Sequence, residues 1–405
     1  MSSNNRKITN KFPGQINRKL SVLLISVILY FSSCSSSDVS LSCADPIPVL
    51  PTATPRVEVR ADGTAMVNGK PFFPFGFYHV SWQSTADVRI NHLREMAAAG
   101  FNIIHPSFKR FEKFEEYEKF LDEAERIGIY VLTEFELVPT VDPIQFVNKF
   151  KNKSAIFGWS IADDVDSNKD GFTVNQILDL HCKFKTADPA HITYISGSKE
   201  NKISNFINTA DAVGVQAYPV GLKLPLNSVK YIISIARNAA PNNRLIIGNL
   251  QSFRWYDEAA EIPTFDEVRN MTYQAILAGA KGIIYYTYYD REWSLQEHPD
   301  LWMGIKSLVP EMQAISSFLL EGDFKTIETG AKNILAGIWV HQNQNLAVFI
   351  NTSYDRTDRV AIKLPGNVTE VQPMFSGHAS GMSFKNGQLS GFLNPLEVRV
   401  YSLKS

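Results

Sequence analysis

From residue 71 onward the chain alternates short apolar runs with amphipathic stretches. "PFFPFGFYHV" (71–80), "FNIIHPSF" (101–108), "GIYVLTEF" (128–135), "IFGWSIAD" (156–163), "HITYISGS" (191–198), "DAVGVQAYPV" (211–220), "RLIIGNLQSF" (244–253) and "GIIYYTYYD" (282–290) have the length and the aromatic and β-branched content of strands. Helical patterns lie between them. In "FEKFEEYEKFLDEAERIG", Phe114, Tyr117, Phe120, Leu121 and Ala124 fall on one face, and Gly128 follows. "ADVRINHLREMAAAG" ends on Gly100, suited to a helix C-terminus. Thr264 with Glu267 three residues on predicts a capping box. The last helix is predicted over 301–320.

Repeated strand–helix units predict a parallel sheet, and eight of them predict closure into a (β/α)8 TIM barrel. An open doubly wound sheet fits less well, because no Gly-rich phosphate loop follows the first strand. Ahead of the barrel, "VEVRADGTAMVNGKPFF" reads as a hairpin turning at Asn68-Gly69. After residue 322 the period changes to two, with Asn and Gly at the turns, which predicts an antiparallel β-sandwich over 323–405. The expected fold class is therefore α/β, with the barrel over 57–322 and the sandwich behind it.

The first residues follow another pattern. Arg6, Lys7, Lys11, Arg18 and Lys19 precede the apolar run "LSVLLISVILYF" (20–31) and "SSC" ending at Cys34. The run is shorter than the roughly 20 residues a membrane-spanning helix needs, and it has signal-peptide length. "FSSC" resembles a bacterial lipobox, which implies lipidation of Cys34. Residues 1–34 are thus expected to be a signal peptide. The Ser-, Pro- and Thr-rich stretch 35–56 is expected to be a tether, and the chain an exported lipoprotein anchored to the cell-envelope membrane. Besides Cys34 only Cys43 and Cys182 occur. Their spacing indicates neither a disulfide framework nor a zinc site.

Lys and Arg number 40 against 41 Asp and Glu, a net charge of -1, which argues against nucleic acid as the partner. In barrels of this kind chemistry sits at the C-terminal ends of the strands. Those ends carry Tyr78, His79, His105, Glu134, Glu136, Asp163, Asp164, Gln216, Tyr218, Gln251, Tyr288 and Asp290, and the seventh loop adds Trp255, Asp257 and Glu258. Rings that stack on pyranose faces, with amides and carboxylates that bind hydroxyls, suit an oligo- or polysaccharide. No metal-ligand spacing such as HExxH occurs, and no cofactor is expected. Strand alternation puts Gly158, Ser160, Ala162 and Asp164 on the inner face and Phe157, Trp159, Ile161 and Asp163 on the outer one. Asp164 is then expected to enter the mouth while Asp163 turns away as a structural partner. Gln216 and Tyr218 are expected to point inward.

"NGKPFFPFGFY", "GWSIADD", "QAYPV" and "MTYQAILAGAKGIIYYTY" together resemble the catalytic barrels of glycoside hydrolase clan A, including family 2-like proteins. The resemblance implies an acid/base carboxyl at the end of the fourth strand, where Asp164 stands. It implies a nucleophile at the end of the seventh, where this chain has Gln251. An amide cannot form a glycosyl ester. The second carboxyl is then sought at Glu136 or Asp290, with Tyr78, His105, Gln216, Tyr218, Gln251, Trp255 and Tyr288 holding the sugar. Two functions stay open: a glycosidase acting on an extracellular or envelope polysaccharide, and a non-catalytic carbohydrate-binding or envelope-assembly protein on an inactive barrel.

Overall fold

The computed structural model describes Cys43 and residues 56–108, 114–135, 142–167, 171–256, 260–290, 292–342, 344–364, 368–375 and 382–404. The expected signal peptide, Cys34 and nearly all of the tether lie outside the described residues, as do Glu136, Asp257 and Glu258.

Eight parallel strands form the barrel: β1 (Phe75–His79), β2 (Ile103–Phe108), β3 (Tyr130–Phe135), β4 (Ile156–Ala162), β5 (Ile192–Gly197), β6 (Ala212–Ala217), β7 (Leu245–Gln251) and β8 (Ile283–Asp290). They pair in chain order, and β8 pairs with both β7 and β1, so the sheet closes. Pro74 stands between β1 and Lys70–Phe72, so the apolar run 71–80 is divided between barrel and hairpin.

Around the strands lie α1 (Ala86–Ala98), α2 (Phe114–Ile127), α3 (Pro143–Phe150), α4 (Val174–Ala187), α5 (Ser228–Ala239), α6 (Phe265–Leu277) and α7 (Pro299–Glu321). The expected eight strand–helix units are complete except for one. Between β5 and β6 the chain makes two single 3-10 turns, Ile203–Asn205 and Ile207–Thr209. Asn201, Asn205 and Asn208 there favour turns over a helix. The capping box forms, with Thr264 Oγ accepting from the Glu267 amide and Glu267 Oε2 from the Thr264 amide. Tyr117, Phe120, Leu121 and Ala124 of α2 are buried against the sheet as their spacing predicts.

Two apolar layers result. The larger lies between strands and helices and includes Trp159, Ile161, Val213 and Leu250. The smaller fills the barrel interior with Ile103, Leu132, Phe157, Ile192, Leu245, Ile247 and Ile284. Val57, Ala65 and Val67, from a three-stranded antiparallel sheet (Val57–Val59, Ala65–Val67, Lys70–Phe72), join that interior layer. Its turn is the expected one, with Asn68 and Gly69 both left-handed at φ 49 and 76.

The C-terminal part is a sandwich of a five-stranded and a three-stranded antiparallel sheet. In the strand Gln344–Asn351, Ala347 and Phe349 face the second sheet, while Leu346, Val348 and Ile350 join the barrel's helical layer. Polar bonds cross the same boundary. Arg269 Nη1 donates to Val398 O at 2.8 Å, and Asn270 Nδ2 donates to Asn351 O at 2.8 Å and Leu396 O at 2.9 Å.

Cys43 and Cys182 form a disulfide, with Cα atoms 5.4 Å apart across 139 residues of sequence. The spacing of the cysteines indicates no disulfide framework, and the bond is a correction to that expectation. One cysteine sits in a Ser/Pro-rich stretch and the other on the outside of α4, and only the fold brings them together.

Candidate functional site

The C-terminal ends of the strands surround a cavity of about 770 Å³. Tyr78, His105, Asn249 and Ile284 line its inner part. Asp163, Asp164 and Gln216 form an acidic corner, and Tyr218, Phe253, Trp255, Tyr256 and Tyr286 form an aromatic wall. The rings pack edge to face or tilted, Tyr218 lying 5.4 Å from Phe253 and 5.8 Å from Tyr286, so the wall is preformed.

Asp163 does not turn away. Ser196 Oγ donates to its Oδ1, and Gln216 Nε2 donates to the same atom at 3.1 Å and to Ser196 Oγ at 3.0 Å. Trp159 and Ile161 of the expected outward set pack under the helices, but Phe157 lies in the barrel interior, because the β3–β4 pairing slips between Val131 and Leu132 with Phe157 as the added residue. The pairing of β4 with β5 then slips between Ser160 and Ala162, so one residue is added before the strand ends. That bulge reverses the alternation and swings Asp163 inward. The following residue reaches the cavity too, because Asp164 adopts a left-handed backbone at φ 47. The structural role expected of Asp163 belongs to Asp166. This buried carboxylate accepts from the Ser198 amide at 3.1 Å and the Lys199 amide at 2.7 Å, fixing the loop after β5.

Glu134, from β3, sits against the inner end of the cavity. Its Oε1 accepts from Tyr78 Oη at 2.8 Å, and its Oε2 lies 3.4 Å from His105 Nε2. Neither ring nitrogen of His105, nor Glu134 Oε2, nor Asn249 Oδ1 finds a hydrogen-bond partner among the described residues. Asn249 Nδ2 is committed to Tyr194 Oη at 2.7 Å. That bond needs Gly214, since a β-carbon there would strike the Tyr194 hydroxyl and the Asn249 amide.

Electrostatics follow from this crowding. The Asp163 carboxyl opens onto the cavity, but protein encloses it on its other sides. The loss of bulk solvation, then the charge of Glu134, then that of Asp164, push its pKa up to about 8. Burial also raises that of Asp164, against the pull of the Gln216 amide. Burial holds the Tyr78 and Tyr218 phenols far above their usual range, so both stay protonated donors.

Tyr78, His105, Asp164, Gln216, Tyr218 and Trp255 thus line one cavity. Three residues expected with them have other duties. Gln251 is fully buried, its Oε1 accepting from the Val220 amide at 2.8 Å and its Nε2 donating to Val220 O and Phe253 O, both at 3.0 Å. The side chain points to the inner side of β7, but neighbouring loop backbone uses all of it. Tyr288 faces outward, donating to Glu95 Oε2 at 2.7 Å beside Trp302. The β8–β1 register breaks between Tyr285 and Tyr289, so Tyr286 takes the inward place that alternation would share with Tyr288. Asp290 is buried behind the wall and accepts from Tyr286 Oη at 2.6 Å and Tyr256 Oη at 2.9 Å. It holds two cavity tyrosines rather than facing a substrate. Glu136 lies outside the described residues. Asn249 shares the parity of Gln251 and was open to discovery from sequence, whereas Asp163 and Tyr286 were hidden by the two register breaks.

No family model matches the sequence, and no curated protein matches it. Solved structures match in fold. A GH27 β-L-arabinopyranosidase from Geobacillus stearothermophilus aligns with TM-score 0.60 and 11% identity, over 82% of this chain and 96% of that one. An α-amylase from Geobacillus thermoleovorans aligns with TM-score 0.59 and 11% identity, over 82% and 98%. The family 30 subfamily 8 xylanase Xyn30A from Clostridium acetobutylicum aligns with TM-score 0.53 and 12% identity, over 87% and 98%. The chain has the barrel-plus-sandwich fold of these glycoside hydrolases.

Proposed function

We propose that this chain hydrolyses a glycosidic bond in an oligo- or polysaccharide, with Asp163 as the proton donor. The carrying observation is the Asp163 carboxyl itself. It opens onto a cavity walled by aromatic rings, is oriented by Ser196 and Gln216, and is pushed up to about 8, so it keeps its proton at neutral pH. A leaving glycosidic oxygen needs such an acid. Asp164, turned into the same cavity, is the second carboxyl and would activate water. Glu134 acts through its charge, keeping Asp163 protonated. Incubating the purified full chain, disulfide intact, with a glycan panel and measuring new reducing ends tests this. Asp163→Asn should lower turnover at least about 10²-fold. Full activity in that variant rejects Asp163 as the acid and leaves Asp164, the fourth-strand carboxyl of the sequence reading, to be tested next.

A second reading, a sugar-binding barrel without hydrolysis, has one observation in its favour. The end of β7 carries Gln251, bound entirely to backbone, and Asn249, so no carboxylate comes from that strand. Saturable glycan binding with no released reducing ends would select it.

The protein is further proposed to be exported and lipid-anchored through Cys34. The Cys43–Cys182 disulfide supports this, because such bonds persist in oxidising compartments. Cys34→Ala should abolish fractionation with membranes. A wild-type chain whose intact mass lacks lipid overturns the anchor.

A further inference from the structure

The cavity holds unspent hydrogen-bonding capacity that the proposed proton transfer does not use. His105 is 1% exposed and Asn249 6%, and both line the cavity's inner part. One Asn249 amide N–H is committed to Tyr194, and Oδ1 is an acceptor without a donor among the described residues. Glu134 Oε2 makes no hydrogen bond among the described residues, its ionisable neighbour being His105 Nε2 at 3.4 Å. A buried acceptor without a donor keeps its desolvation penalty, so these atoms call for a ligand that donates.

Charge points the same way. Asp163 and Asp164 line the cavity and Glu134 abuts it. The charged groups facing them from the loop after β5 are Lys199 and Glu200, which offset each other. No further Lys or Arg lines the cavity among the described residues. Burial, and after it the charges of Glu134 and Asp164, already raise the pKa of the Asp163 carboxyl. A fourth carboxylate, brought by a substrate, would meet the same repulsion, whereas an ammonium would relieve it.

Resting on the glycosidase-type reading of this site, we propose that the inner subsite selects a sugar unit carrying a positively charged amino group over its neutral counterpart, and the neutral sugar over a uronic acid. Asn249 Oδ1 and the acidic corner accept from the ammonium and its neighbouring hydroxyls. His105 serves a ring hydroxyl through whichever nitrogen its tautomer frees.

The test is calorimetric titration of the purified full chain, with its Cys43–Cys182 disulfide intact, at pH 7 with glucosamine, glucose and glucuronic acid. Glucosamine should bind about tenfold more tightly than glucose, the effect of one partly enclosed ion pair, and glucuronic acid at least about tenfold more weakly than glucose. Asp164→Asn, which keeps the shape and removes a charge, should narrow the glucosamine–glucose gap. A different rank order, an unchanged gap in Asp164→Asn, or no saturable binding by any of the three overturns the proposal. No bond is cleaved in this titration. An inactive barrel can therefore still show the ranking, and an active glycosidase that prefers glucuronic acid rejects the ranking alone.

Discussion

Tyr78 donates its hydroxyl to Glu134 at 2.8 Å, so the first barrel strand fixes the carboxylate whose charge helps keep a proton on Asp163. The two residues come from strands separated by β2, and their side chains meet over it on the inner side of the sheet. Removing the charge and removing the hydroxyl should therefore have different signatures.

Glu134→Gln takes away the negative charge that raises the Asp163 pKa. Activity depends on protonated Asp163, so the alkaline limb of the pH–rate profile should move to lower pH. Tyr78→Phe leaves the charge in place. It should lower kcat by about tenfold or less while the limb stays near pH 8. Equal limbs in wild type and Glu134→Gln would separate Glu134 from the acid.

The same proton has a stability consequence. In the unfolded chain the Asp163 carboxyl titrates near its ordinary 3.8, and in the folded protein near 8. Between these values the folded state holds a proton that the unfolded state has lost. Stability therefore falls as pH rises through that window. Asp163→Asn removes the penalty. Its melting temperature should match wild type near pH 4 and exceed it by a growing margin up to about pH 8, as read by thermal unfolding across pH. A variant less stable than wild type at pH 9 contradicts the assignment.

Gln251→Ala strands the Val220 amide, Val220 carbonyl and Phe253 carbonyl inside the protein. The expected loss is about 2–4 kcal/mol in urea unfolding. A variant of wild-type stability whose only change is weaker glycan binding would return Gln251 to the sugar site.

Cys182→Ser opens the Cys43–Cys182 link, which spans 139 residues. Denaturant unfolding should register a loss of about 2–4 kcal/mol. Non-reducing and reducing mass measurement after alkylation reads the bond directly, and a free Cys43 in protein exported to an oxidising compartment contradicts it.

Barrel and sandwich were legible because their signals are repeated many times along the chain. A slipped period in one strand does not change the count of eight, and α2 buries the face its spacing marks except at its first residue, where Phe114 is exposed. The site depends on single residues, where one irregularity decides the outcome. At Ser160–Ala162 a bulge moved Asp163 from the predicted outer face to the cavity, and a register break in β8 exchanged Tyr288 for Tyr286. Gln251 shows a different limit. Its inward parity agrees with its place on the inner side of β7, but parity says nothing about which backbone groups a side chain will occupy. The disulfide lay beyond reach for a third reason, since its partners meet only across the finished surface of α4.

Arg269 and Asn270 reach from α6 to backbone carbonyls of the sandwich, and the Leu346, Val348 and Ile350 side chains complete the same seam. Cutting the gene at the border near residue 322 would thus yield not a minimal catalyst but a wounded one. The Arg269 guanidinium would keep Glu311 but lose Val398 O, the Asn270 amide would lose both its acceptors, and an apolar flank of α6 and α7 would face water. Recombinant work, and any transplant of this cavity onto another scaffold, has to carry both halves as one piece.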